Sequence, residues 1–179
     1  MEIDRLETER LILREWRASD FEVYAGWQAD AEVMRFLHGA PMGRADAWRS
    51  LAAVMGQWAL RGYGVWAVEE KTSGALAGRV GLVHPEGWPG LEVGWTLGRA
   101  HWGKGYATEA ALASMDYAFT TQALPKLISL IHDTNTASQA VAKRIGETRG
   151  PAIDFMFGGK NLHADVWSIT REEWAARRT

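Results

Sequence analysis

Three segments rich in β-forming residues follow one another in the middle of the chain, and only short turn sequences separate them. The segments are YGVWAVEE, ALAGRVGLV and LEVGWTL. The sequences between them, Thr72-Ser73-Gly74 and HPEGWPG, are rich in the residues that favour turns. Because strands joined by short turns pair with their neighbours in opposite directions, this pattern predicts an antiparallel meander.

Helical and strand patterns alternate on both sides of this meander. Residues 44–60 place apolar side chains at helical spacing and are followed by a turn at Gly62. Ser19 and Asp20 offer a cap for an earlier helix. We expect further strands at residues 10–16, 126–132, 149–155 and 164–169, and further helices at residues 106–119 and 135–145. With no linker or low-complexity segment, the sequence predicts a single domain over residues 1–179.

Composition excludes several classes of protein. The chain has no cysteine, so disulfides, thiolate nucleophiles and cysteine zinc sites are excluded. Its net charge of -2 offers no basic surface for nucleic acid. The amino terminus is charged and no segment approaches the roughly 18 apolar residues of a membrane span, so we expect a cytoplasmic protein with no membrane partner. The five histidines show no metal-ligand spacing, so no metal is expected; His38 and His84 are candidates for the rim of a pocket.

The sequence HWGKGYATEA, residues 101–110, places two glycines directly before an amphipathic helix. Glycines at such a junction let the backbone approach a ligand closely, and the amides of a first helical turn bind anions. This indicates a phosphate-binding loop, although a tight turn alone would also explain the glycines. A Walker-type loop is excluded because Gly105 follows Lys104, and the dinucleotide fingerprint is excluded because Thr108 stands at its third glycine.

Four motifs in order resemble the GNAT acetyltransferase superfamily, and within it the RimJ/RimL-type branch. They are TERLILR at residues 8–14, the strand LEVGWTL, the loop WGKGYA with its helix, and KLISLIHDTN followed by ASQAVAKRIGE. In that superfamily the pattern Q/R-x-x-G-x-G/A holds the coenzyme A pyrophosphate, and here Trp102 replaces the Gln or Arg. The resemblance covers about residues 7–169. It implies an α/β fold with a mixed, mostly antiparallel sheet of about seven strands and helices on both faces.

The resemblance also implies acetyl-CoA as the co-substrate and a primary amine as the acceptor, which attacks directly in a ternary complex. A protein amino terminus and a small amine or amino-acid-like molecule are both consistent with it, and a homodimer is one assembly that it admits. The acceptor walls are expected from variable loops at residues 36–44, 84–90 and 156–161. A non-catalytic acyl-CoA-binding or regulatory module is the alternative. The implied coenzyme contacts are Trp95, Thr96, Leu97, Trp102, Gly103, Lys104, Gly105, Tyr106, Ala107, Thr108, Asn135 and Ser138.

Acetyl transfer to an amine requires a group that accepts the proton of the amine, and a carboxylate can do this directly or through water. Glu92 is the candidate because strand alternation places it on the same face as Gly94, which leaves space for a ligand. The superfamily often has its base on this strand. The alternative is an exposed carboxylate without a role, in which case Glu109 or Asp133 is the next candidate for the base.

The leaving thiolate and the oxyanion need partners as well. The superfamily resemblance implies that main-chain amides of Trp95 to Leu97 stabilise the oxyanion. Many members use a tyrosine on the helix after the fifth strand, but ASQAVAKRI contains none. Ser138, in the pattern Asn135-Thr136-Ala137-Ser138 that matches the RimJ/RimL type, is the remaining hydroxyl expected to face the site, and it lies in a first turn where helix amides and the helix dipole would favour an anion. Alternatively, Asn135 and Ser138 only cap this helix.

Overall fold

The computed structural model describes residues 3–37, 39–157 and 159–177. His38, a candidate for the pocket rim, lies outside the described residues. The strands are β1 (Leu6–Glu7), β2 (Leu11–Arg14), β3 (Val65–Glu70), β4 (Leu76–Val83), β5 (Glu92–Leu97), β6 (Lys126–Ile131), β7 (Thr148–Phe157) and β8 (Lys160–Thr170). The helices are α1 (Phe21–Ala29), α2 (Ala31–Met34), α3 (Arg44–Arg61), α4 (Tyr106–Thr120), α5 (Thr136–Ile145) and α6 (Arg171–Ala176). Short 3-10 helices precede α1 and α4.

The eight described strands form one sheet in the order β1-β2-β3-β4-β5-β6-β8-β7. The pair β5–β6 is parallel, and the other pairs are antiparallel. The predicted fold class and the meander β3-β4-β5 are therefore confirmed. The sheet has one strand more than the expected seven because β1 is only two residues long, too short to show an alternating pattern.

Helices cover both faces of this sheet, as predicted. Adjacent residues of β3 point to opposite faces, and they belong to different apolar clusters. Ala67 packs with Tyr24 of α1 and Leu51 of α3. Val68 belongs to the cluster that contains Met115 of α4. The sheet is thus the middle layer between α1 and α3 on one side and α4 on the other.

The amino-terminal motif TERLILR fastens the start of α4 to the sheet. Thr8 Oγ1 donates to Glu109 Oε1 at 2.6 Å, and Arg10 Nε donates to Glu109 Oε2 at 2.7 Å. Arg10 Nη1 also donates to the carbonyl of Lys104 at 2.9 Å. Lys104 belongs to the loop WGKGYA, residues 102–107, which we call the glycine loop. Burial opposes ionisation of Glu109, but its hydrogen bonds to Thr8 and Arg10 outweigh this and lower its pKa. A carboxylate held in its ionised form is a poor proton acceptor, which argues against Glu109 as the base.

Asp20 does not cap α1 with its side chain, contrary to the expectation from sequence. Its carboxylate accepts from both terminal nitrogens of Arg14, at 2.8 and 2.9 Å, and from the main-chain N–H of Arg17 at 2.8 Å. Arg14 also donates through Nε to Glu69 at 2.7 Å. The guanidinium competes successfully for Asp20 because the pair is buried and bidentate.

Candidate active site

The sheet opens between β5 and β6. Their ladder holds a single register pair, Glu92 with Ile128, beside which the N–H of Ile128 donates to the carbonyl of Leu91 at 2.9 Å. In a continuous parallel ladder, the next bond would join the N–H of Leu130 to the carbonyl of Val93. That bond is replaced, and the two strands pair no further among the described residues.

Two side chains satisfy the main-chain groups at the point where the ladder stops. Glu92 Oε1 accepts from the N–H of Leu130 at 3.3 Å. Ser129 Oγ lies 2.8 Å from the carbonyl oxygen of Val93 and donates to it. Because buried main-chain groups need partners, these two contacts stabilise the separated strands.

Main-chain groups of β5 line the opening. The carbonyls of Val93 and Leu97 both point towards it, since they accept from Ser129 and from the indole of Trp102. Residues two apart in a strand face the same edge, so the N–H groups of Trp95 and Leu97 point there too. The main chain of Thr96 instead faces β4. The same is true of Gly98, whose N–H donates to the carbonyl of Ala77 on β4. The structure therefore brings Trp95 and Leu97, but not the main chain of Thr96, to the opening.

Glu92 is half-buried at the narrow end of this opening. Besides the contact with Leu130, its Oε2 accepts from the indole N–H of Trp88 at 2.7 Å. Burial raises the pKa of Glu92 to about 7, against the opposing effects of the Leu130 and Trp88 hydrogen bonds and the charge of Arg79. The exposed, inert strand carboxylate that the sequence left open is not what the structure shows. A carboxyl that titrates near neutral pH is suited to accept and release a proton.

The glycine loop leads into the amino terminus of α4. Gly103 and Gly105 have φ values of +73° and +81°, a conformation that favours glycine. A Cβ at Gly103 would meet no atom within 4 Å, and one at Gly105 would lie 3.4 Å from Arg10 Nη2. The glycines therefore do form a tight turn, and the helix end beside them also suits an anion. The first amides of α4 have no intrahelical partner, and Gly105, the residue before the helix, has no side chain that could cap them.

The side chains around this loop divide into two groups. Trp102 is exposed, and its indole N–H donates to the carbonyl of Leu97 at 2.8 Å. Lys104 is exposed, with its ammonium 3.4 Å from Glu70 Oε1. Tyr106 instead is buried and donates its hydroxyl to Glu70. Of the predicted contacts, Tyr106 can thus offer a ligand only its main-chain N–H, while half-buried Ala107 and Thr108 continue the first turn.

Ser138 and Trp95 connect α5 to β5. Asn135 Oδ1 accepts from the N–H of Ser138 at 3.1 Å, so Asn135 does cap the helix. The hydroxyl of Ser138 takes no part in this cap and accepts from the indole N–H of Trp95 at 3.3 Å. The N–H of Thr136 donates to the carbonyl of Thr134 at 3.0 Å. Two first-turn amides of α5 are therefore already bonded, and the Ser138 hydroxyl proton is the better donor for an anion.

Aromatic rings surround the side of Glu92 away from α4. Trp88 packs edge-on against Phe155 and Phe157, with ring centroids 5.2 and 4.8 Å apart. The contact with Phe157 joins residues 84–90 to residues 156–161, the segments expected to form acceptor walls. The second was expected to be a loop, but residues 156–157 end β7 and residues 160–161 begin β8. Sequence reasoning missed Trp88 as a site residue, although it precedes Glu92 by four residues in a turn. The loop before α3 reaches the end of β6, where Phe36 lies 5.8 Å from the ring of His132.

The described residues contain neither a helix that could cross a membrane nor a cluster of metal ligands. No helix among them combines the length and apolar character needed to cross a membrane. No group of three or more His, Cys, Asp or Glu side chains in these ranges could hold a metal ion.

Comparisons with known proteins agree with this geometry. A family model described as an acetyltransferase (GNAT) domain matches residues 10–148. The uncharacterised N-acetyltransferase p20 of Bacillus licheniformis is 30% identical over 177 residues, which is 97% of this chain and 99% of p20. The uncharacterised protein YkkB of Bacillus subtilis is 42% identical over 90 residues, so this match spans only about half of either protein, 48% of this chain and 52% of YkkB.

Solved structures show the same architecture. An acetyltransferase from Agrobacterium tumefaciens superposes with a TM-score of 0.83 at 32% identity, over 94% of this chain and 95% of that one. The ribosomal L7/L12 alpha-N-protein acetyltransferase RimL, solved in complex with coenzyme A, superposes with a TM-score of 0.77 at 15% identity, over 93% and 98% of the two chains. The second likeness concerns the fold alone.

Proposed function

This chain belongs to the GNAT acetyltransferase family, and on that premise we propose which residues carry out acetyl transfer and which amines accept it. It is an acetyl-CoA-dependent N-acetyltransferase, as the family and its N-acetyltransferase relatives indicate. The acceptor is a primary amine. The observation that carries the proposal is the break in the β5–β6 ladder beside Glu92, where a proton acceptor and unpaired amides meet.

The coenzyme is held at two places. The amino terminus of α4, with Gly103 and Gly105 before it, suits the pyrophosphate because its amides are uncapped and its dipole is positive there. Arg10 and Lys104 add positive charge beside the same loop. The opening between β5 and β6 takes the pantetheine arm, which can pair with the free main-chain groups of β5. Bound acetyl-CoA supplies the acetyl group as a thioester.

Glu92 takes the proton of the amine as the nitrogen attacks the thioester carbon. With a pKa of about 7, a large fraction of this carboxyl is ionised at neutral pH, yet it is basic enough to accept a proton. Trp88 and the N–H of Leu130 fix its two oxygens. The carboxyl lies on the sheet face opposite to α4, so the amine approaches from the side of the aromatic rings.

A main-chain N–H of β5 stabilises the oxyanion that forms when the nitrogen attacks. The N–H groups of Trp95 and Leu97 both point into the opening and have no strand partner there. Residues two apart in a strand are separated by about 6.6 Å, so one oxygen accepts from only one of these two groups. Fixed main-chain donors of this type stabilise developing charge without reorganising.

Ser138 stabilises the sulfur of coenzyme A when the carbon–sulfur bond breaks. Its hydroxyl oxygen accepts from Trp95, which leaves its proton free to donate to the thiolate. A thiolate is already a fair leaving group, since a thiol has a pKa near 8.5, so one hydroxyl is sufficient.

The acceptor carries its amine on a group that fits beside Trp88, Phe155 and Phe157. Protein amino termini and small or amino-acid-like amines both meet this requirement. RimL, which shares the fold, acts on a protein α-amino group, and this favours including peptides among the candidates.

A panel of amines tests the proposal. Acetyl-CoA-dependent thiol release is measured with short peptides that have free amino termini and with small primary amines, for the wild type, Glu92→Gln and Glu172→Gln. Glu172 is the control because its side chain is exposed on α6, outside the elements that form the site. We expect amine-dependent release that Glu92→Gln removes and Glu172→Gln retains. If no amine stimulates release while coenzyme A still binds, the proposed function is wrong.

A further inference from the structure

We propose that Glu147 is a positioning residue for this reaction, and that it holds Ser129 as a wedge that keeps β5 and β6 apart. The inference rests on the proposed function, because the wedge lies at the narrow end of the opening assigned to the pantetheine arm. Glu147 is the last residue of the motif ASQAVAKRIGE, but neither that motif nor the roles of Glu92 and Ser138 give it a function.

Glu147 follows Gly146, the residue that ends α5 in the left-handed conformation with a φ of +98°. It is 4% exposed, and its Oε1 lies 3.1 Å from Ser129 Oγ. Ser129 is 2% exposed and also contacts the carbonyl oxygen of Val93 at 2.8 Å. The three groups therefore form a buried chain from the end of α5 to the edge of β5.

The protonation state of Glu147 determines which groups donate and which accept in these hydrogen bonds. Both neighbours of Ser129 Oγ are acceptors if Glu147 is ionised, but a hydroxyl has one proton and can donate to only one of them. When Glu147 carries a proton, its acid O–H donates to Ser129, and Ser129 donates to Val93. Every bond of the chain is then made.

The surroundings favour this protonated form. Burial raises the pKa of Glu147 to about 8, the Ser129 hydrogen bond opposes the rise, and the charge of Glu92 across the sheet adds to it. No ion pair joins Glu147 to a cation among the described residues: Lys143 of α5 lies over the ring of Trp167, and Arg177 after α6 lies against Gly146. Its Oε2 has no hydrogen-bond partner in the described chain, which a neutral acid tolerates better than a carboxylate.

Loss of this proton changes the opening. The Glu147 carboxylate accepts the proton of Ser129, and the carbonyl of Val93 loses its donor. A buried negative charge also stands near the position where the oxyanion and the thiolate develop, and it disfavours both. Turnover should therefore decline at alkaline pH as Glu147 loses its proton.

The pH profile of kcat/KM tests this directly in wild type, Glu147→Gln and Glu147→Leu. Glutamine donates an amide N–H to Ser129 and does not titrate, whereas leucine makes no hydrogen bond. We expect wild type to fall about tenfold between pH 7 and pH 9 relative to Glu147→Gln, as a group with a pKa of about 8 ionises. Glu147→Leu should be impaired at every pH, and Glu147→Gln should recover most of that loss at pH 7.

Binding of coenzyme A provides a second measurement, by calorimetry on Ser129→Ala and on Ser114→Ala as its control. Ser114 is also buried, but its hydroxyl donates within α4 to Ala110. We expect Ser129→Ala to weaken coenzyme A by about tenfold and Ser114→Ala to leave it unchanged. The inference is overturned if Glu147→Gln keeps the alkaline decline of wild type, or if Ser129→Ala binds as tightly as Ser114→Ala. Such a result with amine-dependent turnover intact refutes the wedge alone and leaves the proposed function standing.

Discussion

Replacing Ser138 with alanine separates a catalytic hydroxyl from a helix cap. The cap of α5 runs from Asn135 Oδ1 to the main-chain N–H of Ser138, at 3.1 Å, and alanine keeps that N–H. The hydroxyl contributes only its 3.3 Å contact with the indole of Trp95. Ser138→Ala therefore removes the proposed donor to the thiolate and leaves the cap in place.

The two expected magnitudes differ enough to be distinguished. Losing one hydrogen bond to a charge that exists only late in the reaction should lower kcat by ten- to a hundredfold, about 1.4 to 2.7 kcal/mol. Stability should fall by at most about 1 kcal/mol, since one long neutral hydrogen bond is lost. Asn135→Ala is the comparison, because it removes the cap itself and should cost about 1 kcal/mol of stability.

The assay measures kcat at saturating acetyl-CoA and the melting temperature on the same sample of each variant. We expect Ser138→Ala to melt close to wild type and to turn over at least tenfold more slowly. A Ser138→Ala variant with wild-type kcat would show that the hydroxyl has no part in departure of the thiolate. A variant that melts as low as Asn135→Ala would show that the hydroxyl supports α5 in a way that the contacts do not reveal.

Three further predictions follow from the contacts of the site. Glu109→Gln should lower the melting temperature at pH 7, and the difference from wild type should shrink below pH 4.5. Because the pKa of Glu109 is lowered in the folded protein, its ion pair with Arg10 stabilises the fold above that pH, and this stabilisation is lost as the carboxylate protonates. A pH-independent difference would contradict this. Trp88→Phe should move the acid limb of the activity profile to higher pH, because its indole hydrogen bond lowers the pKa of Glu92; an unmoved limb would show that the bond is absent in solution. Gly105→Val should weaken coenzyme A by at least tenfold, about 1.4 kcal/mol, in calorimetry on the folded variant, because a branched side chain would stand where the pyrophosphate approaches the loop. Unchanged affinity would mean that the loop does not receive the coenzyme.

The sequence predicted those parts of the fold that depend on local patterns. The meander strands are rich in β-forming residues and lie between turn sequences, and the helix predicted over residues 44–60 is observed as Arg44–Arg61 because apolar spacing and Gly62 mark its extent. Strand β1 was missed because two residues carry no periodicity. The prediction that Asp20 caps α1 was wrong. It rested on a local preference of aspartate, whereas in the fold the carboxylate forms a buried ion pair with Arg14.

The candidate site was predictable where a motif or an alternating strand located it. Glu92 and the glycine loop are of this kind. Two kinds of contact were not predictable. Trp88 reaches Glu92 because of the path of the loop before β5, and Arg10, the residue before β2, reaches the glycine loop from far away in the sequence. Glu147 ends the motif ASQAVAKRIGE, but its burial was not predictable, because a carboxylate after a helix-ending glycine normally lies in solvent and only the packing of α5 on the sheet buries it.

The pH dependence of kcat/KM for wild type and Glu92→Gln tests the central claim, that Glu92 accepts the proton of the attacking amine. With a pKa of about 7 for this carboxyl, wild type should lose activity below neutral pH along a limb of unit slope. Glu92→Gln should bind acetyl-CoA, turn over roughly a hundredfold more slowly and lack that limb. A Glu92→Gln enzyme that keeps both the wild-type rate and the acid limb would contradict the account and place the base elsewhere.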